Sequence, residues 1–336
     1  MKIRFRINRA SLLRFCLLGL IFAGVFLVGV WSAGAVFYAF GWSPVGAVVY
    51  SGVLLGCWLV GFQRRKLLLI PASMEFVVIV AFAAMTPERV FAETVWQAPW
   101  GRVPSVEVDA NRITVRNVRD FRYRSVDDYE IRYIDFAFDP STVRTVDVAV
   151  SHWDGMQAIA HTMFSFGFED GRYLAVSMET RLPVGVEQGF LPGFYRQYEL
   201  LMVLATEEDL FRLRTNFRKE ELYLYRTNAT PEQARALLDS IMRRADTLSK
   251  QPEFYNSIAR NCTTSLAPLL RVIDPTFEGD LRLLLNGYSD ELLFELGYLK
   301  CREGESFPDL KRRRLANRYV SQPSDLPYSR LIRTDL

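Results

Sequence analysis

The sequence predicts an α+β protein in which three N-terminal transmembrane helices precede one domain with an antiparallel sheet and flanking helices. Three observations carry that prediction. Long charge-free apolar runs fill the N-terminal part, period-2 strand patterns dominate the middle, and helix-start signals flank those strands. At 336 residues with 50% hydrophobic content, the chain has material for a membrane region and a globular domain of ordinary size. A net charge of +3, from 41 basic and 38 acidic side chains, gives no electrostatic reason to expect nucleic acid as a partner.

Residues 15–40 carry no charge and are long enough to span a bilayer with tilt. After Gly41-Trp42-Ser43-Pro44 a second apolar run covers 45–62, and a third covers 67–85 with Glu75 inside it. Residues 1–86 therefore read as a membrane anchor. Lys2, Arg4, Arg6, Arg9 and Arg14 precede the first span, and Arg64-Arg65-Lys66 separate the second from the third, so both clusters belong in the cytoplasm. The third span then exits, and everything after about Pro87 lies on the outer side of the inner membrane, the periplasm of a Gram-negative cell. A rival reading takes Ala33-Gly34-Ala35 as a signal-peptide cleavage site, but the apolar run before it is longer than a usual signal core. Glu75 is costly in mid-span unless protonated or paired, so it is either a helix contact or a substrate contact. Trp31, Trp42 and Trp58 suit interfacial or helix-packing positions.

Residues 87–112 read as a linker, with Pro and Trp between Trp96 and Val106. The outer domain is expected over 113–305. It opens on an alternating strand at 113–118, passes through an aperiodic stretch at 120–139 rich in Arg, Tyr and acids, and returns to strand pattern at 143–150. Phe164, Phe166 and Phe168 then alternate with Met163, Ser165 and Gly167, and Leu174, Val176 and Met178 with Tyr173, Ala175 and Ser177. Glu169-Asp170-Gly171 suits a three-residue hairpin loop with the glycine in the left-handed region. Phe168 then faces Arg172, Phe166 faces Leu174, Phe164 faces Val176 and His161 faces Glu179. A two-residue Asp170-Gly171 turn would oppose Thr162 to Glu179 and turn apolar residues to the wrong face, so the longer loop is preferred. Further on, Thr206 starts a helix, 222–225 is a strand, and Thr230 caps a helix with Pro231 in its first position, running to about Ser249. Asn261 is a plausible cap for a helix starting at Cys262. Residues 306–336 read as a basic C-terminal tail in which Lys311-Arg312-Arg313-Arg314 is a solvated face.

With two histidines and four cysteines, few residues could do thiol chemistry. Cys16 and Cys57 lie in the apolar runs, which leaves Cys262 and Cys301 outside. A thiol reacts as thiolate, and a helix start beside an imidazole favours that form. Cys262 as nucleophile, His161 as base and Glu179 as the carboxylate that orients the imidazole make one candidate catalytic set. The plainer alternatives are a small core cysteine and a satisfied His–Glu pair. His152 precedes the turn signal Trp153-Asp154-Gly155 and reads better as a loop or strand-end residue. A Cys262–Cys301 disulfide would abolish the nucleophile; Cys301 sits in an ordinary polar stretch and is taken as incidental. Arg181, Arg196, Arg214 and Arg218 lie nearest the motifs. Arg181 and Arg214 are candidate substrate-binding residues, with Asn256 and Asn261, because guanidinium forks suit lipid phosphate or peptide carboxylate. Pairing with Glu207, Glu208 and Glu220 is the plainer account of such arginines. No CxxC, HxxxH or Asp-rich loop points to a metal, and no cofactor is implied.

Several runs resemble one family. These are Ile159-Ala160-His161-Thr162, Ser165-Phe166-Gly167-Phe168, Ser177-Met178-Glu179-Thr180-Arg181, Arg196-Gln197-Tyr198-Glu199-Leu200, Leu213-Arg214-Thr215-Asn216, Pro252-Glu253-Phe254-Tyr255-Asn256 and Asn261-Cys262-Thr263-Thr264. Their order and density from about Val115 to about Arg271 are similar to the Lnb N-terminal periplasmic domain family, and Tyr328-Ser329-Arg330-Leu331-Ile332-Arg333 resembles its ending. The resemblance implies a permuted papain-like fold, His strand before Cys helix, as in relatives of NlpC-type amidases and in lecithin–retinol acyltransferase. It implies Cys262 as nucleophile and His161 as base of a thiol acyltransferase or hydrolase working through a thioester. Lipid or lipoprotein acyl groups are the expected substrates. A cell-wall amidase or peptidase, and a non-catalytic scaffold that keeps the fold, are the alternatives. Lnb-type enzymes carry membrane helices after the periplasmic domain, whereas here the apolar runs come before it.

Overall fold

The computed structural model describes residues 9–41, 43–153, 155–264, 271, 274–277, 280, 282, 285–321 and 324–336. The chain divides into two compact units, Met1–Val90 with Tyr195–Gln197, and Phe91–Phe194 with Tyr198–Leu336. In the first, helices α1 (Arg9–Tyr38), α2 (Pro44–Gln63) and α3 (Leu69–Ala83) match the three expected apolar runs, and the segments Gly19–Tyr38, Pro44–Gln63 and Arg65–Ala83 are long and apolar enough to cross a membrane. α2 starts where Pro44 takes the first helical position and Ser43 Oγ accepts from the Gly46 amide at 3.0 Å. Glu75 is buried in α3 and accepts from Trp58 Nε1 of α2 at 3.2 Å, so the mid-span carboxylate has a helix partner.

The second unit is mixed α+β. Its strands are β1 (Ser105–Asp109), β2 (Arg112–Arg119), β3 (Arg122–Tyr123), β4 (Tyr129–Glu130), β5 (Tyr133–Phe138), β6 (Val143–His152), β7 (Ala160–Phe168), β8 (Tyr173–Arg181), β9 (Glu199–Ala205), β10 (Glu221–Arg226) and β11 (Glu253–Phe254). The main sheet runs β1-β2-β9-β8-β7-β6-β10, with β5 added on β2 and β11 on β9. All its pairings are antiparallel except the bridge Arg119↔Ala205 between β2 and β9. β3 and β4 form a separate ribbon.

The β7–β8 hairpin has the expected register, Phe166↔Leu174 and Phe164↔Val176, with Gly171 at φ +80° closing the three-residue loop. Both faces of the sheet are buried. Val148, Phe164, Phe166, Val176 and Met202 pack beneath the Pro231–Lys250 helix through Leu237, Leu238 and Ile241. Ala149, Met163, Ala175, Leu201 and Val203 meet Leu210, Phe211, Tyr328 and Ile332 on the other side. Truncating Phe166 to Ala in such a core costs about 3–5 kcal/mol. The Pro231–Lys250 helix begins at a full capping box, Thr230 with Gln233.

Two boundaries differ from the sequence reading. The stretch read as a linker to 112 contains β1, held by β2, and the aperiodic stretch at 120–139 contains β3, β4 and β5. Charged strand residues conceal the period there: Arg116, for example, pairs with Glu107 and Asp135 across neighbouring strands. The tail is not a solvated basic face either. Lys311 pairs with Asp290 at 3.0 Å, Arg313 with Glu305, and Arg314 is 5% exposed. Arg333 reaches Asp147 at 2.8 Å and Glu207 at 2.6 Å. Asp290, Asp147 and Glu207, which neutralise Lys311 and Arg333, lie far from them in sequence, which is why a local charge run reads as solvated.

Candidate active site

The site forms where the start of β7 meets a helical turn beginning at Cys262. Asn261 caps that turn, its Oδ1 accepting from the Thr263 and Thr264 amides at 3.0 and 2.9 Å. Asn256 shapes the approach, its Oδ1 accepting from the Ile258 and Ala259 amides at 3.0 and 2.8 Å. Both asparagines were expected at a substrate. Here their side-chain oxygens hold backbone amides, and they present the thiol.

His161 stands between the sulfur and Glu179. Its Nε2 lies 2.6 Å from Ser177 Oγ and 3.1 Å from Glu179 Oε1, and Ser177 Oγ donates to the same carboxylate oxygen at 2.6 Å. The hairpin register makes this possible, because the alternation that sends Phe164 and Phe166 to one face sends His161, Ser177 and Glu179 to the other. With Nε2 held on the acid side, Nδ1 is the ring nitrogen left for Cys262, whose sulfur is close enough for the two groups to shift each other's titration. The His161 and Glu179 side chains are only 13% and 14% exposed, so these contacts act in a medium that screens little.

The electrostatics follow from that geometry. Burial pushes the Cys262 thiol up, but the neighbouring His161 charge, with the Thr162 amide, outweighs it and brings the thiol down to about 7. Burial pulls the His161 imidazole down, and Glu179 and the Cys262 sulfur together raise it to about 9. Burial alone would raise Glu179; His161, Arg214 and Ser177 hold it well below the usual carboxylate range. The directions of these shifts favour a thiolate beside an imidazolium, backed by an ionised carboxylate.

Arg214, expected at a substrate, sits behind Glu179 instead. It donates to Glu179 Oε1 at 3.4 Å and to the Leu210 carbonyl at 3.0 Å, and lies 3.5 Å from Glu220 Oε2. A wide helical turn, Leu213–Arg218, ending at Lys219 with φ +58°, puts it there. Arg181 is engaged elsewhere: it pairs with Glu199 at 2.7 Å, donates to the Trp100 and Gly101 carbonyls, and lies over the Trp96 ring. That makes it a latch for the segment entering the domain, a contact no local spacing reveals. His152 ends β6 against the Tyr223 ring, and burial lowers its imidazole pKa. All four cysteines are free thiols; Cys301 is exposed.

Two contributors escaped the sequence reading. Ser177 bridges His161 and Glu179. Asn286, 7% exposed, donates from Nδ2 to Cys262 Sγ at 3.3 Å and accepts at Oδ1 from the Ala160 amide at 2.8 Å. Gly287 lets that segment dock, since a Cβ there would lie 1.9 Å from the Gln157 carbonyl oxygen. The Asn-Gly dipeptide signals a turn, but nothing in it signals the thiol. Among the described residues, no group of three or more His, Cys, Asp and Glu side chains is arranged to hold a metal.

Residues 129–287 match the model of the Lnb N-terminal periplasmic domain family, and His161, Glu179, Cys262 and Asn286 all lie within the match. Among curated proteins and among solved structures, none matches the chain. The family, with the three apolar helices, makes this a membrane-anchored periplasmic protein.

Proposed function

We propose that this Lnb-type domain is a thiol acyltransferase or hydrolase working through a thioester, anchored in the inner membrane by three spans and acting on acyl groups of lipid or lipoprotein. The observation that carries the reading is the arrangement of a buried imidazole, His161, held by Glu179 at 3.1 Å and Ser177 at 2.6 Å beside the Cys262 thiol, which also accepts from Asn286 at 3.3 Å. An order of His strand, then Cys helical turn, also suits the permuted papain-like arrangement. The Cys262 thiolate attacks an ester or amide carbonyl, forming the S–C bond while the carbonyl π pair moves to oxygen. As the oxyanion collapses, the bond to the alcohol or amine breaks, and His161 supplies that leaving group with its proton. His161 then takes a proton from an acceptor amine or from water as it attacks the thioester, and the thiolate is released. Glu179, Ser177 and Arg214 hold the ring in place throughout. The Cys262 backbone amide is available to the developing oxyanion. A membrane anchor favours a lipid donor over a soluble peptide.

The test is intact mass of the purified full-length protein after incubation with membrane lipid. The expected result is an acyl adduct on Cys262, absent in Cys262→Ser. Adduct formation or turnover with peptidoglycan fragments alone turns the reading to a cell-wall amidase, and full complementation of a deletion by Cys262→Ser turns it to a scaffold. Reporter fusions after Arg65 are expected to be active inside and fusions after Met85 outside; the opposite pattern places the thiol in the cytosol.

A further inference from the structure

We infer that Asn286 is a catalytic residue of the thioester chemistry, its side-chain amide donating to the oxyanion that forms on the carbon attacked by Cys262; this rests on the reading above. Three observations carry it. Asn286 is buried, and its Nδ2 already lies 3.3 Å from the nucleophilic sulfur. An oxyanion formed on a carbon bonded to that sulfur comes within reach of the same N–H group. The orientation of the amide is also determined. The Ala160 backbone nitrogen can only donate, so the group facing it at 2.8 Å is the oxygen, and the NH2 group must face the sulfur. Finally, the donor is preorganised. Gly287 N donates to the Ala158 carbonyl at 3.1 Å, and only glycine fits against Gln157 at that position, so Asn286 is docked on the strand that carries His161.

The role explains why an amide stands here. Before attack it stabilises the thiolate. In the tetrahedral intermediate, the electron pair displaced from the carbonyl π bond rests on oxygen, and Nδ2–H meets it alongside the Cys262 amide. When the C=O bond re-forms and the leaving group departs with the His161 proton, the donor returns to the sulfur of the thioester. No proton leaves Asn286 at any step.

The test uses the full-length protein in detergent, with p-nitrophenyl butyrate as acyl donor and iodoacetamide as thiol probe, each read by intact mass. Asn286→Asp keeps an oxygen for Ala160 but puts a second oxygen, without a hydrogen, against the sulfur. It is expected to acylate about 10²–10³-fold more slowly and to move the pH midpoint of Cys262 alkylation upward, while melting like wild type. Asn286→Ala should show the same acylation loss. Unchanged acylation and an unchanged alkylation midpoint in Asn286→Asp overturn the assignment and leave Asn286 as a docking residue, the thioester reading intact. If wild type itself forms no adduct with any acyl donor, membrane lipid included, the thioester reading fails and takes this assignment with it.

Discussion

Two clusters of buried charge share one face of the β6–β8 sheet. In the first, Asp147 and Glu207 are fully buried and matched by Arg333 and Arg226, and the Arg333 guanidinium also lies over the Tyr173 ring at 3.6 Å. In the second, Glu179 is matched by His161 and Arg214, and His161 in turn meets Cys262. Every cation in the first cluster is an arginine, which keeps its proton at any physiological pH, so the cluster has one charge state. The second contains an imidazole and a thiol whose pKa values, about 9 and about 7, bracket a working range. Buried charge is therefore common to both. What separates the two is that the second holds groups able to give up or accept a proton, which is what the proposed chemistry requires.

The largest effects should divide the clusters cleanly. Cys262→Ser and His161→Ala are expected to reduce acyl-adduct formation by about 10⁴-fold or more, Cys262→Ser with little change in melting temperature. Arg333→Ala should do the reverse, lowering the unfolding free energy by about 3–5 kcal/mol in denaturant titration, with thiol reactivity per folded molecule unchanged. A stable Arg333→Ala protein that has lost thiol reactivity breaks the comparison.

Glu179→Gln should come next, at about 10²-fold in acylation. Removing its charge lowers the imidazole pKa, so the alkaline limit of the rate should move to lower pH. The pH profile of wild type sharpens the same point. Because the thiol is depressed, Cys262 alkylation should rise as pH passes about 7. Because the imidazole is raised, acyl transfer should fall only as pH passes about 9, when the proton for the leaving group is lost. An alkylation midpoint at about 8.5, the ordinary thiol value, contradicts the thiolate–imidazolium pair. The smallest effects belong to the residues outside both clusters. Arg181→Ala should cost about 1–3 kcal/mol of stability by freeing the Trp96–Gly101 segment, without changing the acylation rate of the folded protein. Cys301→Ser should change neither quantity.

Much of the site was legible, for a reason specific to the hairpin. A two-residue period and a glycine in the loop leave one register that buries the phenylalanines, and that register places Glu179 opposite His161. Cys262 was identified by elimination among four thiols and by its capping asparagine. The roles of the nearby arginines and asparagines were not legible. Arg214 and Arg181 have the same chemistry, yet one backs the Glu179 carboxylate and the other holds a segment of the domain, according to which acid and carbonyls the fold brings near.

By itself, the sequence determined what depends on neighbours in the chain: three apolar spans, the Thr230 and Asn261 caps, the hairpin register and the pairing of His161 with Glu179. These are local because helix and strand periods, turn glycines and side-chain caps act over a few residues. Only the tertiary structure decided that Cys262 meets His161, that Asn286 points its amide nitrogen at the sulfur, and that Arg333 neutralises Asp147 and Glu207. Those contacts join residues far apart in sequence, and their energy comes from desolvated partners that exist only once the sheet and its flanking segments have packed.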